Sequence, residues 1–288
     1  MRLPKYWGKG QVEVEDRKGR KHKFSAWGWS ETSRQDAERK GRERAATLGR
    51  RILNGEQPIG YLYGTSPLRE EIVREFQDQE GKVHSAITIN SYGRHVLNST
   101  ELMVVDVDLP KVKQIQLVMY YLIRIIARNR IHPRQKREAA QLARIEEFSR
   151  LKPNIGIRAY RTHSGLRYLF ANHKVKPDSD ETAKDMASLK ADPLYIKLCK
   201  MQECFRARLT PKPWRCGLRT TTVRFPWEND RERELYQRWN QEYMKLSADF
   251  ATCEYIREYG RRFTTEPIAE LLKVHDHFTK ANINLPLA

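Results

Sequence analysis

Apolar and polar residues alternate from Gln11 to Glu15 and again from Lys23 to Trp29, with Lys18-Gly19-Arg20 between the two runs, so the chain opens on an expected hairpin. Ser30 or Thr32 can cap a helix that follows through Asp36, Ala37, Ala45, Ala46 and Leu48 to Gly49. The segment Asn54-Gly55-Glu56-Gln57-Pro58 breaks this pattern and marks a boundary. Beyond it, Ser66-Pro67 predicts a helix start, with Ile72, Val73 and Phe76 as its apolar face. Strands are expected over 84–89 and 102–107, with Asn90-Ser91-Tyr92-Gly93 as a loop between them. An apolar helix over about 112–127 leads into a basic stretch, in which Arg124, Arg128 and Lys136 line one exposed surface.

Two further strands, 155–161 and 166–170, meet at Thr162-His163-Ser164-Gly165. Asp178 or Ser179 caps a helix through Ala183, Met186 and Leu189. A strand over 204–209 precedes the turn Thr210-Pro211-Lys212-Pro213. Two helices follow, one burying Leu235, Trp239, Tyr243, Leu246 and Phe250, the other starting at Thr265 and Pro267 with Ile268, Leu271, Leu272 and His275 on one side. Strands separated by helices, mixed with strands joined by tight turns, predict an α+β protein with a mixed sheet. The expected division is a basic ββα unit over 1–56, a core over 57–230 and C-terminal helices over 231–288 packing on that core.

Charge changes the picture more than any other composition figure. The 288 residues carry 54 Lys and Arg against 36 Asp and Glu, a net of +18, and residues 1–51 alone contribute +8 from 15 bases and 7 acids. Such a surplus points to a polyanionic partner, nucleic acid first among them. The apolar run from Ile115 to Ile126 is interrupted by Gln116 and Arg124 and falls short of the roughly 20 residues of a membrane span. No apolar stretch follows Met1-Arg2-Leu3-Pro4-Lys5, and Cys199, Cys204, Cys216 and Cys253 form no CxxC pair, so a cytoplasmic chain with reduced thiols and no membrane association is expected.

Three segments could carry chemistry. In Leu102-Met103-Val104-Val105-Asp106-Val107-Asp108 an apolar strand ends on two carboxylates at i and i+2, which period-2 geometry sends to one face. Two such carboxylates suit a shared divalent cation, and they equally suit pairing with some of the many arginines. In Tyr160 to Phe170 a hairpin turn offers Arg161, His163, Ser164, Gly165 and Arg167, a set able to grip a triphosphate or merely to form a solvated turn. In Phe205 to Arg215, Arg206 and Arg208 share one strand face, and Lys212 and Arg215 flank Trp214, as a groove for phosphates and bases requires.

Taken in order, an acidic pair on a strand, a Ser-Gly-x-Arg hairpin and a basic strand resemble the archaeo-eukaryotic primase-polymerase superfamily over about residues 60–225. Asp106 and Asp108 match its first motif. Ser164-Gly165-Leu166-Arg167 matches the second, with Tyr168 in place of the family's histidine and His163 as the nearest substitute. The third acidic motif has no clear match, and Asp192 is the nearest candidate. The resemblance implies an RRM-like palm core and template-dependent nucleotidyl transfer with Mg²⁺ or Mn²⁺ and nucleoside triphosphates. It would make Asp106, Asp108 and His163 catalytic, with Asp106, Asp108 and potentially Asp192 holding metal. Arg161, Ser164, Gly165 and Arg167 would bind nucleotide, and Arg206, Arg208, Lys212 and Arg215 would contact phosphate. A metal-dependent nuclease and a non-catalytic nucleic-acid-binding protein are the rival expectations.

Overall fold

The computed structural model describes residues 1–56, 67–126, 131–261 and 264–288, with residues 124–126 described in their backbone alone. The chain begins with the expected hairpin, β1 (Tyr6–Glu15) and β2 (Lys21–Ser30), paired antiparallel from Tyr6↔Ser30 to Glu15↔Lys21. Helix α1 (Arg34–Leu53) follows, its N-terminus capped by Ser33, whose hydroxyl accepts from the Asp36 amide. The helix lies against one hairpin face at backbone distance, because a Cβ on Gly10 would stand 1.9 Å from the Arg42 amide nitrogen. Only glycine allows that approach.

Two four-stranded antiparallel sheets make up the rest, alongside the helices. One has the order β3-β4-β5-β9, from β3 (Glu71–Gln77), β4 (Val83–Ile89), β5 (His95–Ser99) and β9 (Phe205–Arg208). The other has the order β10-β7-β8-β6, from β6 (Val104–Asp108), β7 (Ile157–Thr162), β8 (Gly165–Phe170) and β10 (Cys253–Tyr259). The class is α+β as expected, but every pairing between these strands is antiparallel, not mixed. The sheets meet where β6 and β9 come together. There the Tyr195 hydroxyl lies 3.1 Å from the Val104 carbonyl and accepts from the Arg206 amide at 3.2 Å. Val104, Val105, Leu169, Phe170, Phe205 and Ala207 are almost wholly enclosed in the core, which lies on both faces of these strands.

The helices are α2 (Gln114–Ile126), α3 (Pro133–Leu151), α4 (Asp180–Ser188), α5 (Pro193–Gln202), α6 (Asp230–Leu246) and α7 (Ile268–Thr279). Three expectations need correction. The helix expected over Ile72, Val73 and Phe76 is strand β3, and Ser66 lies outside the described residues. A spacing of four is even, so Ile72 and Phe76 suit a strand face as well as a helix face, and a bulge between Ile72 and Arg74 blurs the alternation. The apolar face read on α6 is also displaced. Tyr236 and Tyr243 are buried while Leu235 and Leu246 are 45% and 38% exposed, and Phe250 lies beyond the helix end. Stacking sets that face, with Trp227 on Tyr236 at 4.7 Å and Trp239 on Tyr243 at 5.1 Å between centroids. Finally, 231–288 is more than a helical cover, since it supplies β10 at the edge of the sheet that holds the acidic pair. Of the basic surface expected around Arg124, Arg128 and Lys136, the first two side chains lie outside the described residues and Lys136 is exposed.

Candidate nucleic-acid interface

Strand register places Asp106 opposite Arg167 and Asp108 opposite Gly165. Arg167 answers Asp106 with both forks, Nε donating to Oδ1 at 2.7 Å and Nη2 to Oδ2 at 2.9 Å. Arg167 is 1% exposed while the Asp106 side chain is 41% exposed, so a buried guanidinium is held bidentately by a carboxylate that reaches the surface. Burial works against the guanidinium charge, but Asp106 prevails and holds its pKa above the ordinary arginine value. The remaining fork donates to the Arg208 carbonyl at 2.8 Å and lies 3.3 Å from His275 Nε2. A guanidinium can only donate, so His275 accepts there and directs its Nδ1–H to Asp276 Oδ1 at 3.1 Å. Burial keeps the His275 pKa below the ordinary histidine value. Gly165 is required beside this pair, because a Cβ there would stand 1.9 Å from the Val107 carbonyl.

Next to the pair lies a second set of cations with a different character. Burial, then the neighbouring Arg167 and Arg94, push the Arg208 pKa down to about 10. Arg208 Nε is enclosed with no hydrogen-bond partner. Arg94 is 8% exposed, its Nε also unpartnered, and burial lowers its pKa. Its guanidinium carbon sits 4.7 Å from the Tyr92 ring and 5.4 Å from the Trp214 ring. Lys212 lies 5.5 Å from the Trp214 ring, and burial with Arg208, Arg215 and Arg94 lowers its pKa to about 8. Arg215 donates to Ser164 Oγ at 2.9 Å, which ties the cluster to the hairpin turn before β8. Tyr92 and Trp214 remain 41% and 50% exposed, offering ring surface beside the charges.

The expected site residues therefore divide. Asp106, Asp108, Ser164, Arg208, Lys212 and Arg215 come together. Arg167 belongs to the same place but is sealed beneath it, so it cannot reach a triphosphate. Arg161 is held by Glu138 at 2.7 Å and Glu254 at 2.6 Å, and Arg206 by Glu70 at 2.7 Å, so both guanidiniums already have carboxylate partners. Gly165 spends its amide on Thr162 Oγ1, and His163 donates from Nδ1 to the Leu287 carbonyl at 2.9 Å. Asp192 is the N-cap of α5, its Oδ1 accepting from the Leu194 amide at 2.8 Å, and not a third metal ligand.

The residues around the acidic pair do not fit a resident divalent ion. Both Asp106 oxygens already accept from Arg167, and Arg208, Lys212 and Arg215 add positive charge nearby. Four cations, Arg167, Arg208, Lys212 and Arg215, facing two carboxylates favour an anion. Elsewhere, His173, Glu181 and Asp185 bring one ligand atom each within 4.8 Å of one another and could hold a metal ion. Lys152 now donates to both Asp185 oxygens at 2.7 Å.

Sequence reasoning missed Arg94, Glu70 and Glu138, as well as that His-Glu-Asp group, and placed His275 only on the packed side of α7. Tyr92-Gly93-Arg94 carried a signal in retrospect: a glycine with φ of +76° forms a turn between a ring and a base. The four cysteines are free and buried. Among the described residues no helix is long and apolar enough to cross a membrane. Comparison of the chain with protein-family models, with curated proteins and with solved structures gives no significant match.

Proposed function

We propose that this protein binds nucleic acid, with Arg94, Arg208, Lys212 and Arg215 taking phosphates and Trp214 and Tyr92 stacking on unpaired bases. One observation carries the reading: Arg208 is a half-buried cation whose enclosed Nε has no hydrogen-bond partner among the described residues, whereas Arg161, Arg167 and Arg206 are each matched by a bonded carboxylate. Burying an unmatched charge is costly, and a phosphate would supply the missing partner. Half-exposed rings interleaved with cations are the arrangement that single strands use, and the chain's charge of +18 supports the same partner. Fluorescence anisotropy with a short labelled single strand tests it. Binding should weaken steeply between about 50 and 200 mM salt, and Arg208→Met with Lys212→Met should weaken it further. A flat salt dependence would overturn the reading.

Nucleotidyl transfer by a primase-polymerase-like palm is the second reading. It is favoured by the position of Asp106 and Asp108 on one face of β6 beside the phosphate cluster. The surplus of cations means that Mg²⁺ or Mn²⁺ would enter with a nucleoside triphosphate, not as an ion bound beforehand. Incubation with labelled nucleoside triphosphates, Mn²⁺ and a primed template separates the readings. Incorporation abolished by Asp108→Asn supports transfer, and no incorporation by the wild type leaves binding alone.

A further inference from the structure

Helix α2 exposes an apolar stripe that the described residues leave uncovered. Its inner side rests on the protein through Tyr120, which is 8% exposed and meets the His132 ring edge-on with centroids 5.1 Å apart. Arg137 of α3 fixes the start of the helix by donating to the Pro110 carbonyl and, at 2.8 Å, to Gln116 Oε1. On the opposite side Ile115, Val118, Met119 and Leu122 follow the i, i+3, i+4, i+7 spacing and are 55–66% exposed. Large apolar residues so exposed on one stripe mark an interaction surface.

We propose that this stripe docks an acidic amphipathic helix of another protein. The spacing is that of a helix–helix seam, which a partner helix reads with its own residues three and four apart. Charge decides the partner's chemistry. Residues 109–137 include eight Lys and Arg and no Asp or Glu, and Lys111, Lys113, Arg134 and Lys136 are exposed. A second copy would bring the same all-basic segment against itself. A helix lying on a bilayer carries bases on its own polar face, whereas Gln114 to Ile123 carries no charge at all.

The test uses the full chain and two labelled synthetic helical peptides. Both carry leucines three and four apart; one has glutamate at the flanking positions, and its twin has lysine there. The wild type should bind the glutamate peptide and not the lysine twin. Val118→Asp with Leu122→Asp should weaken binding at least about tenfold, as loss of two central anchors does. Ile115→Ser with Met119→Ser should weaken it without adding charge, and nucleic-acid binding should be unchanged in both variants. Absence of binding to the glutamate peptide, equal binding of the two peptides, or equal binding by wild type and variants would overturn the proposal. A dimer that the Val118 and Leu122 variant dissolves would reassign the stripe to a second copy. Retention on phosphatidylglycerol vesicles that this variant loses would reassign it to lipid.

Discussion

Arg206 and Arg208 stand two residues apart on one face of β9, opposite Asn98 and Val96 of β5, yet they have opposite surroundings. Arg206 meets both oxygens of Glu70 at 2.7 and 2.8 Å, and Glu70 also accepts from Thr88 Oγ1, which in turn accepts from Asn98 Nδ2 at 2.8 Å. Although burial opposes its charge, Glu70 holds the Arg206 pKa above the ordinary value. Arg208 lacks such a carboxylate, and its pKa falls. The same residue type on the same strand is therefore a finished structural element in one place and an unanswered charge in the other. Where a fold completes one arginine and leaves its neighbour incomplete, the incomplete one is where a ligand is expected to supply the balance.

Methionine at each position tests the contrast most sharply. Arg206→Met keeps most of the side-chain volume but strands Glu70, which is 8% exposed, and should cost about 3–5 kcal/mol in urea unfolding. Nucleic-acid affinity of the folded fraction should hardly move. Arg208→Met should reverse both results: stability should hold or rise as an uncompensated cation leaves, while affinity drops by about tenfold or more, the effect of losing a charge-assisted hydrogen bond of about 1.5 kcal/mol. If both variants lose stability equally, the distinction between the two arginines disappears.

The acidic pair offers the next contrast. Asp106→Asn leaves the buried Arg167 without its counter-charge, and the melt should shift by about 3 kcal/mol, toward the lower end because Arg167 keeps the Arg208 carbonyl. Asp108 is exposed and near Lys212 and Arg215, so Asp108→Asn should leave stability within about 0.5 kcal/mol. It should also strengthen nucleic-acid binding a few-fold by removing repulsion of phosphate. Weaker binding of a strand by Asp108→Asn only when a divalent ion is present would instead favour the nucleotidyl-transfer reading.

How much of this was legible beforehand depends on the range of the interaction. The ββα unit, the hairpin at 162–165, the cap at Ser179 and the apolar face of α7 were all readable, because each depends on residues within a few positions of one another. The gathering of Arg208, Lys212 and Arg215 followed from their closeness in sequence. Which arginines were already satisfied did not, because their partners are remote: Glu70 lies 136 residues from Arg206, and Asp106 lies 61 from Arg167. Strand β10 was overlooked for a similar reason. Cys253 to Tyr259 alternates weakly, and its place beside β7 is set by long-range pairing. The acidic pair was read on one strand, and of the two partners its sequence allowed, a divalent ion or an arginine, Asp106 is met by Arg167 of the neighbouring strand.

The salt slope provides a finer measure of the same cluster. On a single strand, each cation that neutralises a phosphate contributes about 0.7 to the slope of log affinity against log salt. Lys212→Met should therefore reduce the slope by about that amount, and Lys200→Met should leave it unchanged, because Lys200 already pairs with Asp180 at 3.1 Å on another surface. Equal reductions would mean that binding reads total charge and not this cluster.

The smallest effect expected is a dependence on pH centred on Lys212. Its folded pKa of about 8 lies below the ordinary lysine value of 10.5, so between these two values the unfolded chain holds more protons than the native one. Stability of the free protein should consequently rise as pH increases through that window, because the native site sheds a charge it accommodates poorly. Below about 8 the lysine is protonated in both states, and the penalty is fully present. Nucleic-acid binding should show the opposite trend. A bound phosphate favours the ammonium form, so affinity should fall as pH rises through 8, with proton uptake on binding near that value. Titration calorimetry in buffers of different ionisation enthalpy measures that uptake. Lys212→Met should remove the uptake near pH 8, below the Arg208 pKa of about 10. Uptake that persists in the variant would place the titrating group elsewhere and detach Lys212 from the phosphate site.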